Sequence, residues 1–205
     1  EKAIADDRAA GRRPACVIAT AGTTNTGSID DLMAIGDPCR RGGLWFHVDG
    51  CIGALLRIAL EHRHLVDGIE TADSLALDPH KWLHAPFEAG CALVRDRNLH
   101  FSTFALHGDY LEEKPRGVAS GEYLFDYGFE LSRGFKALKI WMGLKEHGTE
   151  KFGRLIDQNI AQGAYLTGLI ADEPHLELMA PTVINIVCFR YRAEGADEAA
   201  HEALN

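Results

Sequence analysis

The segment Asp78-Pro79-His80-Lys81-Trp82 holds the sharpest chemical signal in this chain. A lysine that follows an apolar run and sits between a histidine and a tryptophan is well placed to be desolvated. Desolvation disfavours the ammonium and leaves a neutral amine, the form that attacks a carbonyl carbon. His47-Val48-Asp49-Gly50 ends a second apolar run on a carboxylate, which can keep a ring nitrogen protonated and so make the ring a better electron sink. In Thr20-Ala21-Gly22-Thr23-Thr24, a glycine-relieved turn lets a hydroxyl and backbone amides face a ligand oxygen. Taken singly, each feature has a plainer reading. Most lysines lie at the surface, a strand-end Asp is more often a helix cap, and a Thr/Gly turn is more often only a turn. It is their order along the chain that suggests a site.

The elements that must position these residues follow from hydrophobic pattern and turn chemistry. A helix is expected over about Glu1 to Ala10, stopped at Gly11. Ala15 to Ala19 reads as a strand, and so do Leu44 to Val48, Ser74 to Leu77 and Cys91 to Val94. Between the first two, a helix capped by Ser28, with Asp30 and Asp31 in its first turn, runs to about Arg40 and stops at Gly42-Gly43. Strands alternating with helical connections imply an α/β sheet, largely parallel, whose ligands bind beyond the carboxyl ends of its strands. Thr24, Asp49 and Lys81 all fall there. Residues 98–127 read as a long polar loop of the kind that forms lids. An amphipathic helix follows from Ser132 to Glu146, with Phe135, Leu138, Trp141, Met142 and Lys145 at helical spacing. Gly148 ends it, and a second helix spans about Thr149 to Ala171. A short strand lies between Pro174 and Pro181, another runs from Val183 to Tyr191, and a helix starts near Ala196.

Composition narrows the class of protein. With 205 residues, 46% of them hydrophobic and 25% charged, the chain reads as globular, one domain or one and a half. A formal net charge of −9 argues against nucleic acid as a partner. No apolar run reaches the length of a membrane span. The five cysteines form no metal-binding or paired pattern and read as buried, reduced thiols of a cytoplasmic protein. His62 and His64, separated by an arginine, read as a solvated face rather than as metal ligands, and no metal is expected.

The motifs together resemble the group II pyridoxal-phosphate-dependent decarboxylases, the family of the aromatic-L-amino-acid, histidine and glutamate enzymes. The likeness rests on Ala19 to Thr24, His47-Val48-Asp49, Ala72-Asp73-Ser74, Asp78 to Trp82 and Ser132 to Trp141, and covers nearly the whole chain. It implies a fold-type-I, aspartate-aminotransferase-like architecture with helices on both faces of a mostly parallel sheet, incomplete at both ends. It also implies the cofactor pyridoxal 5′-phosphate. Lys81 would form the Schiff base with the cofactor aldehyde, and Asp49 would pair with the pyridine nitrogen. Thr24 would contact the cofactor and His80 would sit near its phosphate. His47, Cys51 and Asp78 join the cofactor-binding set. A lid tyrosine would protonate the carbanion left by decarboxylation. Among Tyr110, Tyr123 and Tyr127, Tyr123 is the assignment, with Tyr127 read as a packing residue.

Three departures from the family pattern stand out. Cys51 falls where a small residue usually faces the ring. Asp78 replaces an Asn near the phosphate, where a carboxylate would repel the dianion. Gly134 replaces an Arg, removing one guanidinium. Residues 1–150 are expected to be the C-terminal half of the large cofactor-binding domain, with a lid near 98–130. Residues 151–205 are expected to be a linking helix and the start of a small domain. The sequence therefore reads as an internal piece of a longer homodimeric enzyme that decarboxylates an L-amino acid, an aromatic one favoured, to an amine and carbon dioxide. Two alternatives stay open. One is a different reaction on the same scaffold, such as oxidative deamination to an aldehyde or transamination. The other is a catalytically silent structural or dimerisation piece.

Overall fold

The structure is a computed structural model that describes residues 1–105, 116–117, 120–121, 123–193, 195 and 198–204. Its centre is a four-stranded sheet in the order β1 (Cys16–Thr20), β2 (Trp45–Asp49), β3 (Ser74–Leu77), β4 (Cys91–Val94). β1, β2 and β3 run parallel, and β4 is antiparallel to β3. Thr20 pairs in register with Asp49, and Asp49 with Ala76. The carboxyl ends of the three parallel strands are thus level, and Asp49 lies in the middle.

Side chains alternate across the sheet. Val17, Ala19, Phe46, Val48 and Leu75 share one face, and Ala19, Phe46 and Val48 are buried there. This face packs against α2 (Leu32–Gly42) through Leu32 and Cys39, and against a 3₁₀ segment, Gly53–Ile58, through Leu55 and Leu56. Ile156, Ile160 and Ile184 come from further along the chain to the same core. Asp31 caps α2, its Oδ1 accepting from the Ala34 amide at 2.9 Å, and Gly43 ends the helix in a left-handed conformation. Ser28 is not the cap. Its amide donates to Thr23 Oγ1 at 3.0 Å and its hydroxyl bonds that of Thr26, so the Thr-rich loop uses it.

α1 (Lys2–Ala9) forms as the pattern requires. Within the expected long loop, residues 97–104 form a helix instead, α3 (Arg97–Phe104). Asp96 starts it, accepting from the amides of Asn98 and Leu99. α4 (Lys136–Asp172) begins four residues later than expected and is broken at Gly148, at φ 69° and ψ 164°. The expected strand from Val183 is confined to β6 (Phe189–Tyr191), which pairs antiparallel with β5 (Leu176–Leu178). The partner strand is only three residues long and supports no more. α5 (Glu198–Leu204) follows.

Two expectations on burial need correcting. Only Cys39 is buried; Cys16 is exposed and the other three cysteines are half-buried, because they lie at strand edges and turns. The apolar stripe of the first half of α4 points outward, with Phe135 73% and Trp141 58% exposed. The opposite face of this helix carries Lys136 and Lys139, which meet the segment after Lys81.

Candidate active site

Asp49 is held by its own strand and by both neighbours. The Ala21 amide donates to the Asp49 carbonyl at 2.8 Å, and the Gly50 amide donates to the Ala76 carbonyl at 3.0 Å. The chain then turns, so the Cys51 amide reaches back to Asp49 Oδ1 at 3.2 Å. Hydrogen bonds from the Cys51 side chain and backbone, helped by the charges of His47 and Lys81, hold the Asp49 carboxyl below the usual carboxylate range, against an opposing contribution from burial. Burial, then the Asp49 carboxylate, pushes the Cys51 thiol up to about 11. Asp49 therefore stays ionised beside a neutral thiol at neutral pH.

Lys81 reaches the same place from β3. Pro79 and Trp82 are buried and anchor the motif, His80 is half-buried, and Lys81 is exposed. The desolvation expected of this lysine is therefore not found: its flanking apolar side chains turn into the core and leave the amine to solvent and Asp78. A tight turn closes the segment, with the Lys81 amide donating to the Asp78 carbonyl at 2.9 Å and the Ala85 amide to the Pro79 carbonyl at 3.1 Å. The Asp78 amide donates to the Cys51 carbonyl at 3.0 Å and ties this turn to the one after Asp49. Asp78 Oδ2 lies 2.9 Å from Lys81 Nζ and 3.8 Å from His80 Nε2. The carboxylate at position 78 is thus directed at the lysine of its own turn. His80 Nδ1 lies 2.8 Å from the Ala89 carbonyl and 3.1 Å from the Ala89 amide. One ring nitrogen serves one of these at a time, according to tautomer.

The structure thus brings together Asp49, Cys51, Asp78, His80 and Lys81. His47 shares the sheet face of Asp49, and its Nδ1 meets Ser74 Oγ at 2.7 Å. Thr24 is exposed on the turn after β1 and stands outside these contacts. Tyr123 lies at the start of the 3₁₀ segment Leu124–Tyr127, its ring stacked on Phe125 with centroids 5.0 Å apart. Tyr127 packs on α3, 5.3 Å from His100 and 5.8 Å from Phe101 between ring centroids. Tyr110, Asp109, Glu112 and Glu113 lie outside the described residues. Sequence reasoning passed over Ser74, which fixes His47, although the motif Ala72-Asp73-Ser74 was in view. It also passed over Ala89 and Lys139, for which backbone acceptors leave no sequence signal. His62 is not solvated: it is half-buried, its Nδ1 2.7 Å from Asp157 Oδ1 on α4.

A lysine and an ionised carboxylate thus converge at the carboxyl end of a mainly parallel sheet. The donor set suits a pyridoxal group: Asp49 can accept from a ring N–H and Lys81 can supply the amine. The chain belongs to the pyridoxal-dependent decarboxylases, whose conserved-domain model matches residues 1–192. It is 38% identical over 192 residues to the aromatic-L-amino-acid decarboxylase of Bacillus atrophaeus, covering 93% of this chain and 40% of that protein. Its fold superposes with a TM-score of 0.89 on Oryza sativa TDC solved with PLP and tryptamine, at 31% identity, covering 99% of this chain and 42% of that one. It also matches the 4-hydroxyphenylacetaldehyde synthase of Rhodiola rosea, with a TM-score of 0.83, 27% identity and coverage of 99% and 41%. The chain spans about two fifths of the length of these relatives.

Proposed function

We propose that this chain carries the lysine and aspartate of a pyridoxal-phosphate-dependent decarboxylase acting on an L-amino acid, an aromatic one favoured. The observation that carries the reading is the convergence of Lys81 and Asp49 across Cys51 and Asp78. When bound, the cofactor supplies an electron sink for the pair released as carbon dioxide leaves. Asp49, kept ionised, holds a proton at the ring nitrogen. Lys81 would hold the cofactor through its amine. Asp78 pairs with that amine at rest, and His80 lines the site, fixed by Ala89. Cys51, and Thr24 from the turn after β1, would contact the cofactor, and Tyr123 would be the acid for the α-carbon.

The wider expectations belong to the same reading. Residues 1–150 act as part of the cofactor domain and residues 151–205 lead into the small domain, while the expected lid over 98–130 falls in part outside the described residues. Homodimer formation is supported by the outward apolar side chains of α4. A cytoplasmic setting is supported by five free cysteines. No helix among the described residues is long and apolar enough to cross a membrane.

A second reading, release of an aldehyde, is favoured by the likeness to the Rhodiola rosea synthase and turns on the acid that Tyr123 would supply. The test is titration with pyridoxal 5′-phosphate, borohydride reduction and peptide mapping, followed by mass spectrometry of the products of the protein with aromatic L-amino acids. A reduced adduct on Lys81 and an amine product are expected. An unmodified Lys81 would end the proposal, and an aldehyde product would select the second reading.

A further inference from the structure

Lys136, Lys139 and Gly143 share one face of α4 by helical spacing, and this face is turned toward the segment that follows Lys81. Lys139 Nζ donates to two backbone carbonyls there, Pro86 at 2.6 Å and Glu88 at 2.7 Å. Lys136 Nζ meets the Glu88 carboxylate at 2.5 Å. The next residue, Ala89, is buried, and its peptide groups hold the His80 ring. The Ala89 carbonyl also accepts from the His80 amide at 3.4 Å. Lys139 therefore grips the carbonyl of the Glu88–Ala89 peptide group, and the amide of that same peptide group meets the ring of His80, the residue beside Lys81.

We propose that Lys139 is a positioning residue: it clamps residues 86–89 and thereby fixes His80 and Lys81 at the carboxyl end of β3. A single ammonium suits this task. It has three donors and no acceptor, so it can satisfy two carbonyls of a turn at once. Hydrogen bonds from a charged donor are about twice as strong as neutral ones. Lys136 is a weaker second tether, because its partner Glu88 is a flexible, exposed side chain. The clamp joins the long helix to the site through backbone acceptors, which leave no pattern in the sequence. Its link to reactivity rests on the role given above to Lys81.

The test compares the wild type with Lys139→Met, Lys139→Gln and Lys139→Arg. The first readout needs no cofactor: amide hydrogen exchange over residues 80–90, with thermal unfolding as the control. Exchange there is expected to rise at least several-fold in Lys139→Met and less in Lys139→Gln, which keeps an uncharged amide donor group. Lys139→Arg, able to bridge both carbonyls, is expected to restore protection. The second readout is the rate at which pyridoxal 5′-phosphate is reduced onto Lys81, relative to surface lysines of the same sample. A small displacement of a reacting group costs on the order of ten- to a hundredfold in rate, so Lys139→Met should slow Lys81 by that factor and Lys139→Arg should recover it. Unchanged exchange over 80–90 in folded Lys139→Met overturns the clamp, as does an unchanged Lys81 rate. If Lys139→Met fails to fold, the same two comparisons are decided on Lys139→Gln. An absent Lys81 adduct in the wild type refutes the cofactor reading instead, and the exchange data still decide the clamp.

Discussion

Asp78 Oδ2 and Lys81 Nζ are 2.9 Å apart, a contact made within one tight turn. The carboxylate steadies the amine, but the pair must break before the amine attacks a carbonyl. Asp78→Asn keeps the shape of the turn and removes the charge. The lysine side chain is 40% exposed, so the effect stays on the scale of a surface ion pair. Condensation of Lys81 with pyridoxal 5′-phosphate at neutral pH should speed up by roughly two- to fivefold. Stopped-flow absorbance checks this, and a slower reaction would mean that Asp78 orients the amine more than it restrains it.

Asp49 has a different task, and its loss should be heavier. Asp49→Asn preserves the bond from the Cys51 amide but leaves no negative charge to hold a ring proton. Removal of one preorganised electrostatic partner costs about a hundredfold or more in turnover. Steady-state kinetics of the full-length protein measure this, with borohydride trapping to show that Lys81 still reacts. The sign of the acid dependence follows from the lowered carboxyl. Its stabilising contribution is present above the unfolded carboxylate value of 3.8 and fades as pH falls through the lower folded value.

Cys51 behaves in the opposite sense at the alkaline end. Its thiol is raised from 9.0 to about 11, so the unfolded chain ionises it first. The stability it contributes is complete below pH 9 and is lost as pH rises through about 11. Urea unfolding between pH 8 and 11.5 should show this loss, and Cys51→Ala should flatten it. The thiolate is the reactive form, so iodoacetamide at pH 8 should label exposed Cys16 well before Cys51. Prompt labelling of Cys51 at that pH would contradict the assignment.

Residues whose burial pattern and motif agree were legible in the sequence. The four strands of the sheet fall where apolar runs end in polar residues, and the candidate site lies where two of these ends, after β2 and β3, meet. Lys81 and Asp49 were readable because the surrounding apolar residues have one purpose, to anchor a turn. The start of α2 was misread because Ser28 and Asp31 are both good caps, and only the hydroxyl contacts of Ser28 with Thr26 decide between them. α3 was missed because its eight residues bury no side chain, which leaves little periodicity to read. The direction of Asp78 and the grip of Lys139 depend on backbone geometry, which residue types do not encode.

Gly148 is the residue whose replacement tests the fold itself. At φ 69° and ψ 164° it occupies a region open essentially only to glycine, and it breaks α4 between His147 and Thr149. Beyond the break, the helix buries Ile156 and Ile160 against the sheet core and also buries Phe152, to which His147 packs edge-on with ring centroids 5.8 Å apart. A side chain at 148 meets nothing within 4 Å, so strain rather than crowding sets the cost. Gly148→Ala should therefore destabilise the fold by about 1–3 kcal/mol, measured by urea unfolding. The alternative outcome is also informative. If alanine drew residue 148 into the helical region, the two halves of α4 would align, and Lys139 would be pulled from the Pro86 and Glu88 carbonyls. The variant would then keep its stability but show faster amide exchange over 80–90, the signature of a released clamp.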